Sequence, residues 1–298
     1  MDIWEKYGQQ LQAGDFKALA RCISLVENDV AGAQKFLQSL PAATTPVLGI
    51  TGPPGAGKST LTDALIASYV QEGKKVAVIC VDPSSPFNLG ALLGDRIRMS
   101  DWYNHPSVFI RSLASRGSMG GLHPRIIEVT DTMKAAGFDL IIIETVGVGQ
   151  SEIEIAGLAD TTLVVLVPEA GDEVQTMKSG LMEIADIFVV NKADRPGAGT
   201  FVKNLLQMLA PAFHSQHREI PVLKTVAVKK EGIKELKDRI SFYHSAPNAE
   251  RNNWLKAEKA YQLIRNKRMQ NVDKETLKNE IAKAGENFNL YRFVEQHA

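Results

Sequence analysis

Short apolar runs alternate with segments of helical spacing along most of the chain, from Val47 to Val228. The apolar runs read VLGI, KVAVICV, SVFIRSL, FDLIII, TTLVVLV, DIFVV and PVLKTVAV. Between most of them lie segments such as LTDALIASYVQEG and FVKNLLQMLAPAF, whose apolar residues recur at three- and four-residue steps. Strands that alternate with helices predict an α/β fold in which a mostly parallel sheet lies between helices.

The two ends of the chain have helical patterns and few strand-like runs. In DFKALARCISLVEN one helical face is apolar and contains Phe16, Leu19, Ile23 and Val26. Prolines then interrupt the pattern before the first apolar run, and Ser-Ala-Pro follows the last one. We therefore predict an N-terminal helical extension over residues 1–42, a central α/β domain over 43–246 and a C-terminal helical extension over 247–298.

The C-terminal extension has two apolar stripes, and the sequence alone does not determine what they pack against. One stripe contains Trp254, Ala257, Tyr261 and Ile264, and another contains Leu277, Ile281 and Ala284. Such stripes either pack back on their own domain or form an interface between two copies of the chain.

Composition excludes several classes of protein. Lys plus Arg and Asp plus Glu each number 34 among 298 residues, so no charge excess favours nucleic acid or an anionic membrane. Cys22 and Cys80 lie far apart and provide neither a disulfide framework nor a zinc knuckle. No signal-peptide pattern is found, and no apolar run approaches the ~18 residues of a membrane span. We expect a cytoplasmic protein.

The first apolar run leads into GPPGAGKST, which matches the phosphate-binding P-loop GxxxxGK[ST]. Glycines let the backbone wrap around phosphate oxygens, and the following helix adds the positive end of its dipole. In such a loop Lys58 reaches the β- and γ-phosphates, and the Ser59 hydroxyl coordinates Mg²⁺. A plain glycine-rich turn is disfavoured, because the strand and the helix stand where the motif needs them. The predicted nucleotide-binding residues here are Gly52, Pro53, Pro54, Gly55, Ala56, Gly57, Lys58, Ser59 and Thr60.

A second motif, NKAD, follows the run DIFVV and indicates which base is bound. Asp194 can accept hydrogen bonds from the ring N–H and the exocyclic amine of guanine. Adenine lacks both donors and would leave the carboxylate unpaired, which is costly. The stem of Lys192 can pack over the base, and Asn191 completes the motif. A capped turn is the alternative interpretation, but a P-loop upstream favours guanine recognition.

A weaker third element lies in KTVAV, after the last apolar run. G domains often place a serine-alanine pair here, and the alanine N–H meets the guanine carbonyl oxygen. This chain has Val226 and Ala227, followed by Val228, so the backbone donor is kept while the side chain differs.

Two aspartates are candidates for the metal site. Asp82 ends the run KVAVICV, at the strand edge where ligands of α/β sheets bind. Asp95, in LLGDR, lies in a segment that could reach Mg²⁺. For each residue, a helix cap or a surface acid is the alternative.

The P-loop, VDPSS, LLGDRIRM, ETVGVGQSE and NKAD occur in this order, and with them the chain resembles the MeaB/ArgK family of P-loop GTPases, the methylmalonyl-CoA mutase-associated GTPases. The resemblance covers about residues 15–245. It implies a G domain flanked by helical extensions, and homodimers joined through the C-terminal extension. It also implies binding and hydrolysis of GTP to GDP, with a magnesium site formed by Ser59, Asp82, Asp95 and Glu144.

The same resemblance implies a partner, an adenosylcobalamin-dependent acyl-CoA mutase. Family members gate cofactor loading onto the mutase and protect it from inactivation. The segment DEVQTMK matches a family loop that communicates with the mutase. Gln175 and Lys178 are its candidates for partner-dependent catalysis, and an ordinary exposed helix start is the alternative.

The run LIIIETVGVGQ resembles the DxxG element of G proteins, with Glu144 in place of the aspartate. Its longer side chain either binds Mg²⁺ through water or holds the attacking water. Gly147 would bring a backbone N–H to the γ-phosphate. Val148 occupies the position where many G proteins carry a water-orienting glutamine, and Gln150 lies two residues beyond. No residue is obviously placed as an arginine finger either, although Arg111 and Arg116 in IRSLASRGSMGG are loop candidates. We therefore expect slow hydrolysis that the mutase accelerates.

Three other functions remain open. A nickel- or zinc-delivering GTPase would carry metal-binding tracts, and this chain offers only His214 and His217, predicted in an exposed loop. A transport-linked P-loop ATPase or kinase is disfavoured by NKAD. A module that uses GTP only as a structural ligand would not need Lys58, Ser59 and two strand-end carboxylates.

Overall fold

The structure is a computed structural model of the chain. It describes residues 2–82, 99–115, 122–145, 154–169, 184–216, 220–245, 249–270, 272–284 and 288–297, and only the backbone of residues 211–216. By its internal contacts the chain divides into two compact units, Met1–Asn252 and Asn253–Ala298.

The described secondary structure alternates as the sequence predicts. The strands are β1 (Val47–Thr51), β2 (Val76–Asp82), β3 (Val108–Ala114), β4 (Leu140–Glu144), β5 (Thr161–Leu166), β6 (Ile187–Val190) and β7 (Val222–Lys224). The helices of the first unit are α1 (Ile3–Gln12), α2 (Phe16–Glu27), α3 (Ala33–Ser39), α4 (Lys58–Gln71), α5 (Ile126–Lys134), α6 (Ala198–Gln216) and α7 (Ile233–Ser245). The remaining helices are α8 (Ala249–Arg268), α9 (Lys274–Ala284) and α10 (Leu290–Glu295).

The described strands form one seven-stranded sheet in the order β3-β2-β4-β1-β5-β6-β7. Every pairing of neighbours in it is parallel. This confirms the predicted α/β class. The last predicted run is shorter than expected: β7 ends at Lys224, and Ala227–Lys229 forms a 3₁₀ turn. A backbone bridge between Val226 and Glu231 closes that turn, so the chain cannot continue as a strand.

Helices cover both faces of the sheet because the strands are apolar on both faces. On one face, α4 and α7 pack on residues of six strands, β1 to β6, and the helix side chains in this core include Leu61, Leu65, Leu236 and Ile240. On the other face, α6 packs on β5 and β6 through Phe201, Leu205 and Leu209. Burying a large aliphatic side chain contributes about 1.5–3 kcal/mol, so these two layers supply much of the stability.

The N-terminal helices belong to the same compact unit as the sheet. Asp15 starts α2, because its carboxylate accepts the backbone N–H groups of Lys17 (2.7 Å) and Ala18 (3.1 Å). Of the predicted apolar face, Leu19, Ile23 and Val26 are fully buried. The fourth member, Phe16, meets the ring of Phe109 edge to face and stacks on the ring of Phe138. The predicted N-terminal helix is therefore confirmed, with its amphipathic face buried.

Three aspartates fix the strand register at the N-terminal edge of the sheet. Each immediately precedes a strand, and its carboxylate accepts the backbone N–H of a residue on a neighbouring strand or just before it. The partners are Lys75 for Asp139 (2.8 Å), Val47 for Asp160 (2.7 Å) and Thr162 for Asp186 (2.8 Å). In each case the aspartate N–H also donates to the carbonyl of the same partner, at 2.8–3.0 Å. These paired bonds disfavour a one-residue slip, which would turn every side chain of a strand to the opposite face.

In the second unit, Asn253–Ala298, the described residues form helices joined by short non-helical segments, and none of them is in a strand. Large apolar side chains on its helices are exposed, and they include Trp254, Tyr261, Ile264, Leu290 and Tyr291. Trp254, Tyr261 and Ile264 belong to the first apolar stripe predicted from the sequence.

We predict that Asp186→Ala lowers the free energy of unfolding by about 3 kcal/mol, because it removes the partner of a bidentate ion pair. Arg251 donates to both oxygens of Asp186, at 2.9 and 2.7 Å, and the Asp186 side chain is only 2% exposed. Urea denaturation measures the effect. Asp139→Ala is the control, since that side chain is 39% exposed and its ion pair with Lys74 contributes less than about 1 kcal/mol. Equal losses in the two variants would contradict the prediction.

Candidate nucleotide-binding site

The loop between β1 and α4 approaches neighbouring segments too closely for any side chain at two of its glycines. Gly52 has a φ of 137°, and a Cβ atom there would lie 2.1 Å from the carbonyl oxygen of Val165. Gly57 has a φ of 85°, and its Cβ would lie 2.4 Å from Nδ2 of Asn191. The predicted P-loop is therefore held between β5 and the first residue of the NKAD motif.

The side chain of Lys58 lies across this loop. Its ammonium group donates to the carbonyl oxygens of Gly52 (2.8 Å) and Pro53 (3.1 Å), and the residue is 6% exposed. Gly57 is the N-cap residue of α4, and it has no side chain that could accept a hydrogen bond from the N–H groups of the first helical turn. The loop thus combines a buried cation with the positive end of a 14-residue helix, which is the chemistry that binds phosphate.

Glu144 ends β4 in register with Ile50 of β1 and Cys80 of β2, and it is 4% exposed. Both of its carboxylate oxygens meet hydroxyl groups of α4. Ser59 Oγ donates to Oε1 at 2.6 Å, and Thr62 Oγ1 lies 2.8 Å from Oε2. The carboxyl group of Glu144 therefore links the end of β4 to two positions one helical turn apart on α4.

Asp82 lies at the same edge of the sheet, two residues beyond Cys80, and it is 3% exposed. Ser59, Asp82 and Glu144 therefore bring side-chain oxygen atoms to this edge from three elements, α4, β2 and β4. Among the described residues, no group of three or more His, Cys, Asp or Glu side chains forms a closed metal site. A site with two carboxylates and one hydroxyl suits a cation that keeps several water ligands and binds phosphate oxygens, as Mg²⁺ does.

A pair of threonines joins the two phosphate-side strands. Thr145 Oγ1 donates to Thr51 Oγ1 at 2.9 Å, and both residues are buried. The backbone N–H of Thr145 also donates to the Ile50 carbonyl at 3.0 Å, which continues the sheet pairing past the end of β4. The points where the chain leaves β1 and β4 are thus fixed relative to each other.

Asn191 joins three segments and is 2% exposed. Its Nδ2 donates to the carbonyl of Ala56 in the P-loop at 3.0 Å. Its Oδ1 accepts from the hydroxyl of Thr225 and from the backbone N–H of Ala227, both at 3.1 Å. The sequence analysis predicted that the backbone N–H of Ala227 donates to the carbonyl oxygen of guanine. In the structure, this N–H donates to the amide oxygen of Asn191.

The other two residues of the motif are more exposed. Lys192 has a φ of 55° and donates from Nζ to the Gly55 carbonyl at 2.8 Å, so its stem runs along the loop. Asp194 accepts from Lys229 Nζ at 3.2 Å. That hydrogen bond is the main reason why the pKa of Asp194 lies below its usual value. An ionised carboxylate at the rim can accept two donors from a purine edge.

The residues Val226, Ala227 and Val228 lie beside this rim. Val226 and Ala227 are buried, whereas Val228 is 77% exposed. The Val228 side chain can therefore contact a base without any rearrangement of the core.

Several predicted residues lie outside the described residues: Asp95, Gly147, Val148, Gln150, Gln175 and Lys178, together with Arg116 and His217. Two other predictions are corrected. Arg111 is in β3 rather than in a loop, and its guanidinium bonds Glu27 Oε2 (2.8 Å) and Ser24 Oγ (3.3 Å) of α2. His214 lies within α6 rather than in a loop.

Sequence reasoning missed Thr62 and Thr225. Thr62 follows Ser59 by three residues, which places both hydroxyls on one face of α4, and this spacing was a usable signal. Thr225 had no comparable signal, because its partner Asn191 is 34 positions away in the chain.

Comparison with known proteins identifies the family. A model of the family described as "Methylmalonyl Co-A mutase-associated GTPase MeaB" matches residues 19–284. The chain belongs to the MeaB family. It is therefore a P-loop GTPase that binds guanine nucleotides, as the sequence predicts.

Individual relatives of this MeaB-family chain agree. A protein of Pyrococcus abyssi, named as a GTPase, is 50% identical over 237 residues, which cover 78% of this chain and 73% of that protein. The fused isobutyryl-CoA mutase of Geobacillus kaustophilus is 40% identical over 234 residues, covering 74% of this chain and 22% of that protein. The crystal structure of an LAO/AO transport system kinase superposes with a TM-score of 0.71 at 29% identity, covering 99% of this chain and 96% of that one.

Among the described helices of this MeaB-family protein, none is both long and apolar enough to cross a membrane.

We predict that Asn191→Ala lowers the free energy of unfolding by about 2 kcal/mol, because the buried N–H of Ala227 and the hydroxyl of Thr225 lose their acceptor. Thermal or urea denaturation without nucleotide measures this. The control, Thr225→Val, removes only one of these bonds and should cost about 1 kcal/mol or less. An Asn191→Ala protein as stable as the wild type would show that this amide does not join the three segments.

Proposed function

We propose that this GTPase is a chaperone of an adenosylcobalamin-dependent acyl-CoA mutase, which gates cofactor loading and protects the mutase. One observation carries the proposal. In Geobacillus kaustophilus, a segment 40% identical to this chain over 234 residues is part of a protein named fused isobutyryl-CoA mutase. Fusion of two activities in one chain keeps them at a high effective concentration, which favours a functional link between them. The family description, which names methylmalonyl-CoA mutase, supports the same class of partner.

For nucleotide binding, we propose that the loop from Gly52 to Thr60 holds the phosphates. Lys58 lies near the end of this loop, and its ammonium group bonds the carbonyls of Gly52 and Pro53 at the start of the loop. The N–H groups at the start of α4 face the same space and add to the positive potential. The charge on the phosphates is thus neutralised by groups that are fixed before the reaction begins.

For the metal, we propose Ser59, Asp82 and Glu144, with Asp95 added by resemblance to the family. A bound Mg²⁺ would neutralise phosphate charge as the leaving oxygen develops. The residues present fit such an ion, since they are buried at the start of α4 and at the ends of the adjacent strands β2 and β4, and so few protein ligands leave positions for water and phosphate. Glu144 also lies where a carboxylate can hold an attacking water. Gly147 is proposed to donate its N–H to the γ-phosphate.

For the base, we propose Asn191, Lys192 and Asp194, with Val226, Ala227 and Val228 at the side of the pocket. Lys229 keeps Asp194 ionised and limits its rotation, so the carboxylate can read the two donors of guanine. Lys192 lies along the loop beside it, where its stem can cover one face of the ring.

For the partner, we propose that Gln175 and Lys178 act when the mutase is bound. We also propose that the C-terminal extension, residues 247–298, joins two copies of the chain. In the unit Asn253–Ala298, the side chains of Trp254, Tyr261 and Ile264 are more than half exposed, and an apolar surface of this kind favours association.

We predict that Asp194→Asn weakens GTP binding by about 100-fold or more and strengthens XTP binding. Asparagine presents an N–H to the guanine amine, whereas xanthine has a carbonyl oxygen at that position and can accept it. Competition of GTP, XTP and ATP against a fluorescent guanine nucleotide measures both changes. Asp238→Asn, an exposed aspartate of α7, is the matched control. Equal competition by ATP and GTP in the wild type would instead favour a transport-linked ATPase or kinase.

We predict that a methylmalonyl- or isobutyryl-CoA mutase raises the GTPase rate at least about tenfold over that of the chain alone. Steady-state phosphate release, measured with each mutase and with an unrelated protein of similar size as the control, tests this. The mutase that stimulates identifies the partner class. A rate that neither mutase changes would contradict the chaperone proposal while leaving the GTPase assignment intact.

A further inference from the structure

Thr62 makes a contact for which nucleotide binding by the P-loop gives no reason. It lies in α4 one turn after Ser59, and it is fully buried. Its Oγ1 is 2.8 Å from Oε2 of Glu144 and 3.0 Å from the carbonyl oxygen of Lys58. The hydroxyl has one proton for these two acceptors, so its chemical role depends on which acceptor takes that proton.

The carboxylate is the better acceptor. The Lys58 carbonyl is four residues before Thr62 in α4, and it already accepts a backbone N–H in the regular pattern of the helix. Oε2 of Glu144 is closer, and a carboxylate oxygen forms roughly twice as strong a hydrogen bond as a neutral one. Ser59 supplies the matching proton to Oε1 at 2.6 Å. The carboxylate therefore bridges two hydroxyls one helical turn apart.

Because Glu144 contacts both Ser59 and Thr62, its two carboxylate oxygens have different surroundings. Ser59 is at the start of α4, beside Lys58 and the phosphate loop, so Oε1 faces the reacting side. Thr62 is deeper in the helix, so Oε2 faces the core. An aspartate at this position would be one methylene shorter, and the longer glutamate can span from β4 to both hydroxyls.

We propose that Thr62 is a positioning residue that anchors Oε2 of Glu144 on α4 and thereby aims Oε1 at Ser59 and the metal side of the site. This inference rests on the proposed role of Glu144. Thr62 touches neither nucleotide nor metal and acts only through the carboxylate.

The chain offers matched controls in α5. Thr130 and Thr132 are buried, and each hydroxyl donates to the carbonyl four residues earlier, at 2.7 and 2.8 Å. Their replacement by valine removes a buried helix hydroxyl, as Thr62→Val does, without affecting a carboxylate at the site.

The test measures the affinity for GDP with Mg²⁺ and with EDTA, and kcat and KM for GTP. Thr62→Val should follow Glu144→Gln. We expect about a tenfold loss in kcat and in the Mg²⁺-dependent gain in GDP affinity, with the affinity in EDTA unchanged. Thr62→Ser should restore both quantities, and Thr130→Val should match the wild type. The double variant, Thr62→Val with Glu144→Gln, should be no worse than Glu144→Gln alone.

Two outcomes would overturn the proposal: Thr62→Val that behaves like Thr130→Val, or full additivity in the double variant. If Glu144→Gln itself changes neither quantity, the proposed role of Glu144 is wrong. If Glu144→Gln changes both quantities but Thr62→Val changes neither, only the proposed role of Thr62 is wrong. Thr62→Ala, which also lacks the hydroxyl, replaces Thr62→Val if valine prevents folding, as judged by thermal denaturation.

Discussion

The insertion of β4 between β1 and β2 is the constraint on which the nucleotide site depends. Parallel strands end at the same edge of a sheet, so this pairing brings Glu144 beside the loop that leaves β1. The register matters as much as the order, because a slip of one residue would turn the carboxylate to the opposite face. The aspartates before β4, β5 and β6 oppose such a slip from the other edge of the sheet. The bonds at one edge thus set the geometry of the chemistry at the other.

The base side of the site is built differently from the phosphate side. Glu144, Lys58 and Asn191 are buried and bonded to the backbone or to hydroxyls, whereas Asp194 and Lys229 are half-exposed and bond each other. An exposed ion pair contributes about 0–1 kcal/mol and can rearrange at low cost. Asn191 separates the two regions, because its amide contacts both the P-loop and the segment at Ala227. A rigid phosphate side and an adaptable base side suit an enzyme that must exchange its nucleotide.

The sequence predicted the parts of this site that local patterns encode. Seven apolar runs became seven strands, since a strand buried on both faces has an unmistakable composition, and the P-loop residues lie together between β1 and α4 as expected. The missed parts depend on contacts between distant residues. The bond from Thr62 to Glu144 joins positions 82 apart, and the bond from Ala227 to Asn191 joins positions 36 apart. Arg111 was predicted in a loop, within IRSLASRGSMGG, but it lies in β3. In the structure its pairing with Glu27 allows the charge to lie within a strand.

These contacts also bear on how a partner can accelerate hydrolysis. Lys58, Ser59, Thr62 and Glu144 are bonded to one another or to the loop within the single chain, so a mutase has little to gain by moving them. Electrostatic stabilisation by fixed groups is effective because no reorganisation is needed at the moment of reaction. A partner that raises the rate would instead add a group that this set lacks, either to orient water or to neutralise further charge on the phosphates. The proposed roles of Gln175 and Lys178 are of that kind, since an amide can orient water and an ammonium group can neutralise charge.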